Sequence, residues 1–327
     1  MKRIDPSTPK KQHYVPQFIL KNFITGKKKL VHVYDKQRKI AYTSAVRDAA
    51  CETGYYNIEI DGQGYTLEDK LSSLEGITGN VVKKIIDNES LAGLETKELA
   101  FFHLFCAVQL LRTETQRNLS KQIQETTLRW LEKSGIAVED VENFEVFDGE
   151  KQKHSHIRNI NSLALDLVEH FKDKVMMLVK APLGCEFLIS DNPITMHNHT
   201  PRPGRGNLGL GLDGIEVHMP LSRSLCVTYV CPKMMKEIVE RVNSLRVLWS
   251  VGAAPRLPGS QDAVELVEAI ESGAARVVKP ENMDFYNSLQ VIQSSRFLYS
   301  SDGNFSLVAD MLITNPECQF APRLESN

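Results

Sequence analysis

The feature that most constrains how this chain can fold is a change of apolar period at Thr66. Upstream, Leu30-Val31-His32-Val33-Tyr34 and Lys39-Ile40-Ala41-Tyr42 flank Asp35-Lys36-Gln37-Arg38, a pattern that predicts a β-hairpin, and Tyr55 to Ile60, closed by Asp61-Gly62, predicts a third strand. Downstream, Leu67, Leu71, Leu74, Val81 and Ile85 recur at helical spacing behind a Thr66 cap. A second helix is expected from about Glu95 to Lys133 and a third from about Ser155 to Lys172. The period then returns to strands. Val175 to Val179, Glu186 to Ile189, Glu216 to Met219 and Leu225 to Val230 are expected in a mainly antiparallel sheet, and Val264 to Ile270 and Phe285 to Phe297 in helices after it. Strands and helices thus fall in separate blocks, which predicts an α+β fold: helices around a mainly antiparallel sheet, with a small N-terminal sheet.

With 327 residues and 42% hydrophobic content, the chain can bury a large core. Residues 1–12, polar and basic, are expected as a flexible lead-in. Residues 13–327 are expected as a single α+β domain with sub-regions 13–64, 65–174, 175–232 and 233–327. A net charge of −2 from 39 basic and 41 acidic side chains argues against a whole-surface grip on nucleic acid or an anionic membrane. A local basic cluster remains around the first motif: Lys2, Arg3, Lys10, Lys11, Lys21, Lys27, Lys28 and Lys29. It reads either as a solvated face or as an attractor for an anionic ligand. No signal peptide precedes the six cysteines, which show no zinc or thioredoxin spacing, and no apolar run reaches the ~20 residues of a membrane span. A reduced, cytoplasmic protein without membrane contact is expected.

The first chemically loaded segment is His13-Tyr14-Val15-Pro16-Gln17-Phe18. Pro16 suits a first helical turn, so His13 and Gln17 are expected at a helix entrance, either capping it or lining a pocket. The second is Ser190-Asp191-Asn192-Pro193, where Asp191 should end a strand in a turn, as a turn-former or as a functional acid. Arg112 shares a face with Phe101, Phe105 and Val108 and needs a carboxylate partner. Glu75 on the preceding helix is the candidate, either as a structural ion pair or as part of a polar pocket with His13, Gln17 and Asp191. The His154/His156 and His197/His199 pairs are weak metal candidates, and the glycine-rich stretch from Pro201 to Gly214 lacks phosphate-loop spacing.

The ordered set of these segments carries a resemblance. His13 to Phe18, Cys51 with Tyr55-Tyr56, Glu75, Leu111-Arg112-Thr113, Ser190 to Pro193, Pro220-Leu221-Ser222, Asn287 and Arg296 resemble, in order, the pattern of the domain of unknown function 4238 family, over about residues 11 to 300. The resemblance implies no particular activity.

Two functions follow from the residues. One is a hydrolase of a phosphate-containing ligand, a nuclease or nucleotide phosphodiesterase. In it His13, Glu75 and Asp191 are catalytic, Gln17, Arg112 and Asn192 hold the substrate, and a divalent metal is a possible but unassigned cofactor. The other is a non-catalytic ligand-binding or regulatory module of a bacterial stress or antiviral defence system. The ligand would be a phosphate-containing small molecule or nucleic acid in either case. Neither the substrate nor the oligomeric state is legible.

Overall fold

The structure, a computed structural model, describes residues 1–24, 26, 29–142, 144, 146–200, 208–253, 255 and 257–321. Its fold class is α+β. Among the described residues, seven short strands and one short α-helix come first: β1 (Lys2–Arg3), β2 (Lys11–His13), α1 (Gln17–Leu20), β3 (Leu30–Asp35), β4 (Ile40–Ala45), β5 (Cys51–Thr53), β6 (Asn57–Ile60) and β7 (Gln63–Thr66). The expected hairpin is β3–β4, with Leu30 opposite Ala45 and Asp35 opposite Ile40. Between β6 and β7, Asp61 and Gly62 both hold positive φ (51° and 75°), the backbone that a two-residue hairpin turn requires. The stretch expected as a flexible lead-in carries two strands: β1 pairs with β7, and β2 with β5.

Four helices follow: α2 (Glu68–Asn88), α3 (Thr96–Leu111), α4 (Glu114–Lys133) and α5 (Gly149–Lys172). The single helix expected from Glu95 to Lys133 is two. Thr113 is extended (φ −79°, ψ 159°), and its hydroxyl accepts the N–H of Gln116, so the chain caps a new helix one residue after Arg112. That break is what places Arg112 at the C-terminal end of α3, where its side chain turns back into the core.

The rest of the chain alternates: β8 (Val175–Lys180), β9 (Ile189–Ser190), β10 (Thr195–Asn198), β11 (Ile215–Pro220), β12 (Leu225–Val230), α6 (Pro232–Ser250), α7 (Pro258–Ser272), β13 (Arg276–Val277), α8 (Pro280–Gln293), β14 (Phe297–Ser300) and α9 (Ser306–Thr314). The expected antiparallel sheet has the order β10-β11-β12-β8-β13, with only the short β13 parallel to its neighbour. Three expectations change. The helix expected through Phe297 stops at Gln293; the strand expected over Glu186 to Ile189 is only Ile189–Ser190 and lies outside this sheet; and the N-terminal hairpin belongs to a four-stranded sheet, β4-β3-β14-β9, completed by strands from the second half of the chain. Nothing local in the hairpin encodes those distant partners. Ser190 to Pro193 therefore lies where the chain leaves this sheet at β9 to enter the five-stranded one at β10. One hydrophobic cluster runs through these layers, drawing on residues from Tyr14 to Tyr299.

Candidate functional site

His13 is the last residue of β2, opposite Cys51, and not part of a helix entrance. Pro16 is extended (ψ 141°) and stands just before α1, so the residues between His13 and Gln17 form a bend from strand to helix. The Tyr56 hydroxyl donates to the His13 carbonyl (3.0 Å), and the Tyr14 N–H to the Ala50 carbonyl (3.0 Å), which fixes the bend. The imidazole is half-buried and its Nε2 has no hydrogen-bond partner. Burial pushes its pKa below the ordinary histidine value. The Glu75 carboxylate opposes that shift and the Arg112 guanidinium adds to it.

Arg112 is the centre of the arrangement. It is 1% exposed, and its Nη1 donates to Glu75 Oε1 at 2.7 Å while its Nε donates to Gln109 Oε1 at 2.7 Å. Gln109 in turn donates through Nε2 to the Tyr14 carbonyl (2.9 Å), so a single hydrogen-bonded chain ties α2, the end of α3 and the bend after β2 together. Arg112 Nη2 is buried and has no partner. Glu75 is a quarter exposed, so the ion pair has one buried and one partly open partner.

Seven residues before Glu75, on the same face of α2, stands Glu68. Burial pushes its carboxyl up to about 7, the nearby charge of Glu75 adding and that of Arg112 opposing. Sequence reasoning missed both Glu68 and Gln109. The signals were there: an acid two turns ahead of Glu75, and an amide one turn behind Arg112. Gln17 is half-buried at the start of α1, next to the bend.

The other two named residues are engaged elsewhere. Asp191 is 1% exposed, and its carboxylate accepts the N–H groups of Ser295 (2.8 Å), Arg296 (2.6 Å) and Phe297 (2.7 Å). Its expected projection toward a cavity with His13 is thus corrected: it faces the turn between α8 and β14. Burial pushes its pKa up to about 6, against the pull of those N–H groups. Asn192 Nδ2 donates to the Gln293 carbonyl (3.0 Å), and Ser190, Pro193 and Met196 are bonded to Gln290 and Gln293. The segment clamps α8 and β14 to the switch between the two sheets.

The basic cluster is partly neutralised at home: Lys2 pairs with Asp5 (3.1 Å) and Asp69 (3.2 Å), and Lys11 with Asp48. Lys27 and Lys28 lie outside the described residues, as do 201–207 of the glycine-rich stretch. His154 and His156 both lie on α5, which starts at Gly149, earlier than the Ser155 expected. His156 is buried among Tyr55 and the α3–α4 junction, and its pKa falls to about 4 through burial and the nearby Arg117 charge. His197 and His199 meet Glu216 and His218 on one face of β10 and β11; His199 Nε2 is 3.0 Å from Glu216 and His218 Nε2 is 3.6 Å from it. Among the described residues no group of three or more His, Cys, Asp or Glu is arranged to hold a metal ion. No helix among them is long and apolar enough to cross a membrane.

Fold and site together define an α+β chain with a buried arginine tethered between two helices and a histidine-bearing bend. The family described as "Protein of unknown function (DUF4238)" matches residues 11–304, and the chain belongs to it. No curated protein and no solved structure matches.

Proposed function

We propose that the chain is a hydrolase of a phosphate-containing ligand, a nuclease or nucleotide phosphodiesterase, working at the site of His13, Glu75 and Arg112. One observation carries the reading: Arg112 Nη2 and His13 Nε2, in side chains linked by mutual electrostatic influence, are both buried without a partner. An unpaired buried donor costs about 1–3 kcal/mol, and a phosphate oxygen is the acceptor that a guanidinium fork best satisfies. In this reading Arg112 neutralises the phosphate, His13 transfers a proton, Glu75 fixes the guanidinium, and Gln17 borders the ligand. Asp191 takes no part, since its carboxylate already serves the α8–β14 turn, and the Asn192 amide donor is spent on the Gln293 carbonyl.

The second reading, a non-catalytic binding or regulatory module in a stress or antiviral defence system, is favoured by the depth of Arg112, which suits recognition of an anion more readily than turnover of a polymer. The test is incubation of the protein with mixed nucleotides, RNA and DNA, with and without Mg²⁺ or Mn²⁺, followed by product analysis. Hydrolysis that disappears in His13→Ala supports the enzyme. Retention of a nucleotide without turnover supports the module.

A further inference from the structure

We infer that the groove between β6 and the first half of α5 is a binding site for an amphipathic anion, an aliphatic chain ending in a carboxylate. Strand β6 and α5 enclose a space of about 810 Å³ between them, within the range of pockets that take small molecules. The site is independent of the phosphodiester reading, because it lies on the other side of α5. His156 meets Tyr55 at the α3–α4 junction, whereas His154 and Arg158, each two residues away and so ~200° round the helix, line the groove.

The floor of the groove is apolar and its walls are fixed. Ile58 and Ile60, two apart on β6, point to the same side of the strand and line the space together with Phe147 and Ile157. Ile60 is 39% exposed, a large apolar side chain left open to water there. Gln124 of α4 clamps the Phe147 backbone at both ends, its Oε1 accepting the N–H (2.7 Å) and its Nε2 donating to the carbonyl (3.1 Å). The Asp148 carboxylate then accepts the Lys151 N–H (2.8 Å) and starts α5. A ligand therefore meets a surface that is already formed.

Charge along the α5 wall says what the occupant is. Lys151, His154, Arg158 and Asn161 fall three, four and three residues apart, one stripe of the helix with ~15 Å of rise, and all four line the groove. Among the described residues neither the His154 imidazole nor the Arg158 guanidinium has a hydrogen-bond or ion-pair partner, and Lys70 of α2 joins the same end by donating to Asn161 Oδ1 (3.1 Å). The acids that line the space, Asp148 and Glu150, stand at its other end, about two turns of α5 from Arg158. A polyanion such as a nucleic-acid strand would set phosphates against those acids as well as against Arg158. One anionic head with an apolar tail meets no such conflict: the carboxylate takes the Arg158 fork, and the chain covers Ile58, Ile60 and Phe147.

The test is calorimetric titration of the full chain with decanoate, below its micellar concentration, and with decanol as the uncharged probe. Wild type should bind one decanoate per chain and bind decanol more weakly. Arg158→Glu, a change at an exposed position, should weaken decanoate by ~10-fold or more and leave decanol unchanged. Ile60→Thr, which keeps a strand-forming residue, should weaken both probes, and His13→Ala should bind both as wild type does. Thermal melts of the variants check that each is folded. A wild type that binds no decanoate, that takes up many molecules per chain, or that holds decanol as tightly as decanoate overturns the site. An Arg158→Glu variant with unchanged decanoate affinity overturns it as well. None of these outcomes bears on hydrolysis at His13 and Arg112.

Discussion

Two short motifs announce themselves in this sequence, and the structure treats them in opposite ways. At Ser190 to Pro193 the charged group is fully matched: the Asp191 carboxylate takes three N–H groups, Ser190 and the Asn192 amide donor are bonded within the segment or to α8, and the Asn192 Oδ1 is left over. Around His13 and Arg112 the polar atoms are equally buried but incompletely matched, with Nε2 of one and Nη2 of the other left over. Burial and polarity alone do not separate structural from functional residues. The difference is whether the protein itself completes the hydrogen bonding of the charged group, as it does for Asp191 and does not for Arg112.

The largest effect that tests this contrast belongs to Asp191. Asp191→Asn keeps the size but replaces one acceptor oxygen by a donor that faces N–H groups, so it should destabilise the fold by about 3 kcal/mol or more. Chemical denaturation measures it. A variant as stable as wild type would mean that the α8–β14 turn does not depend on the carboxylate and would return Asp191 to the list of functional acids.

Next comes the ion pair. Glu75→Ala strands a guanidinium that is 1% exposed, and a cost on the order of 3 kcal/mol is expected. Arg112→Ala should cost a comparable amount, through lost packing on Phe105 and the freed Gln109. Because the groups touch, the double mutant should be more stable than the sum of the two by at least ~1 kcal/mol. Additive behaviour would break the picture of one tethered cluster.

How much of this was legible in the sequence follows from the range of the interactions. The Glu75–Arg112 pair was legible because an arginine on an apolar helix face demands a carboxylate, and α2 offered one at the right height. The Thr113 break was not, since the periodicity of α3 runs straight into that of α4 and only the cap chemistry separates them. The partners of Asp191 were hidden for a different reason: backbone N–H groups 104 to 106 residues away leave no compositional trace. The same holds for β14, whose pairing with β3 spans nearly the whole chain.

A smaller effect appears with pH. His218, 2% exposed between β11 and α8, is held neutral by burial at a pKa of about 3, and His156 at about 4. In the unfolded chain both take up a proton near pH 6.5. The folded form therefore loses stability as pH falls below about 6.5, by up to ~1.4 kcal/mol per pH unit for each histidine until its folded pKa is reached. His218→Gln should flatten that acid limb between pH 6.5 and 4, whatever its effect at neutral pH. An unchanged slope would mean that His218 is protonated in the native protein, paired with Glu216.

The smallest effect on stability should come from the residue proposed to matter most for function. The carbonyl of His13 holds the Tyr56 hydroxyl and would do so in any residue at that position, while the imidazole bonds only the neutral backbone at Arg47 and Val46 and its Nε2 holds nothing. His13→Ala should therefore lower stability by about 1 kcal/mol at most, in contrast to Asp191→Asn. It should nevertheless remove hydrolysis or ligand binding. The inverse result, a grossly unfolded His13→Ala beside an Asp191→Asn that folds but fails to act, would exchange the roles of the two motifs: the first would then be the clamp, and the unmatched atoms around Arg112 would need an internal partner rather than a ligand.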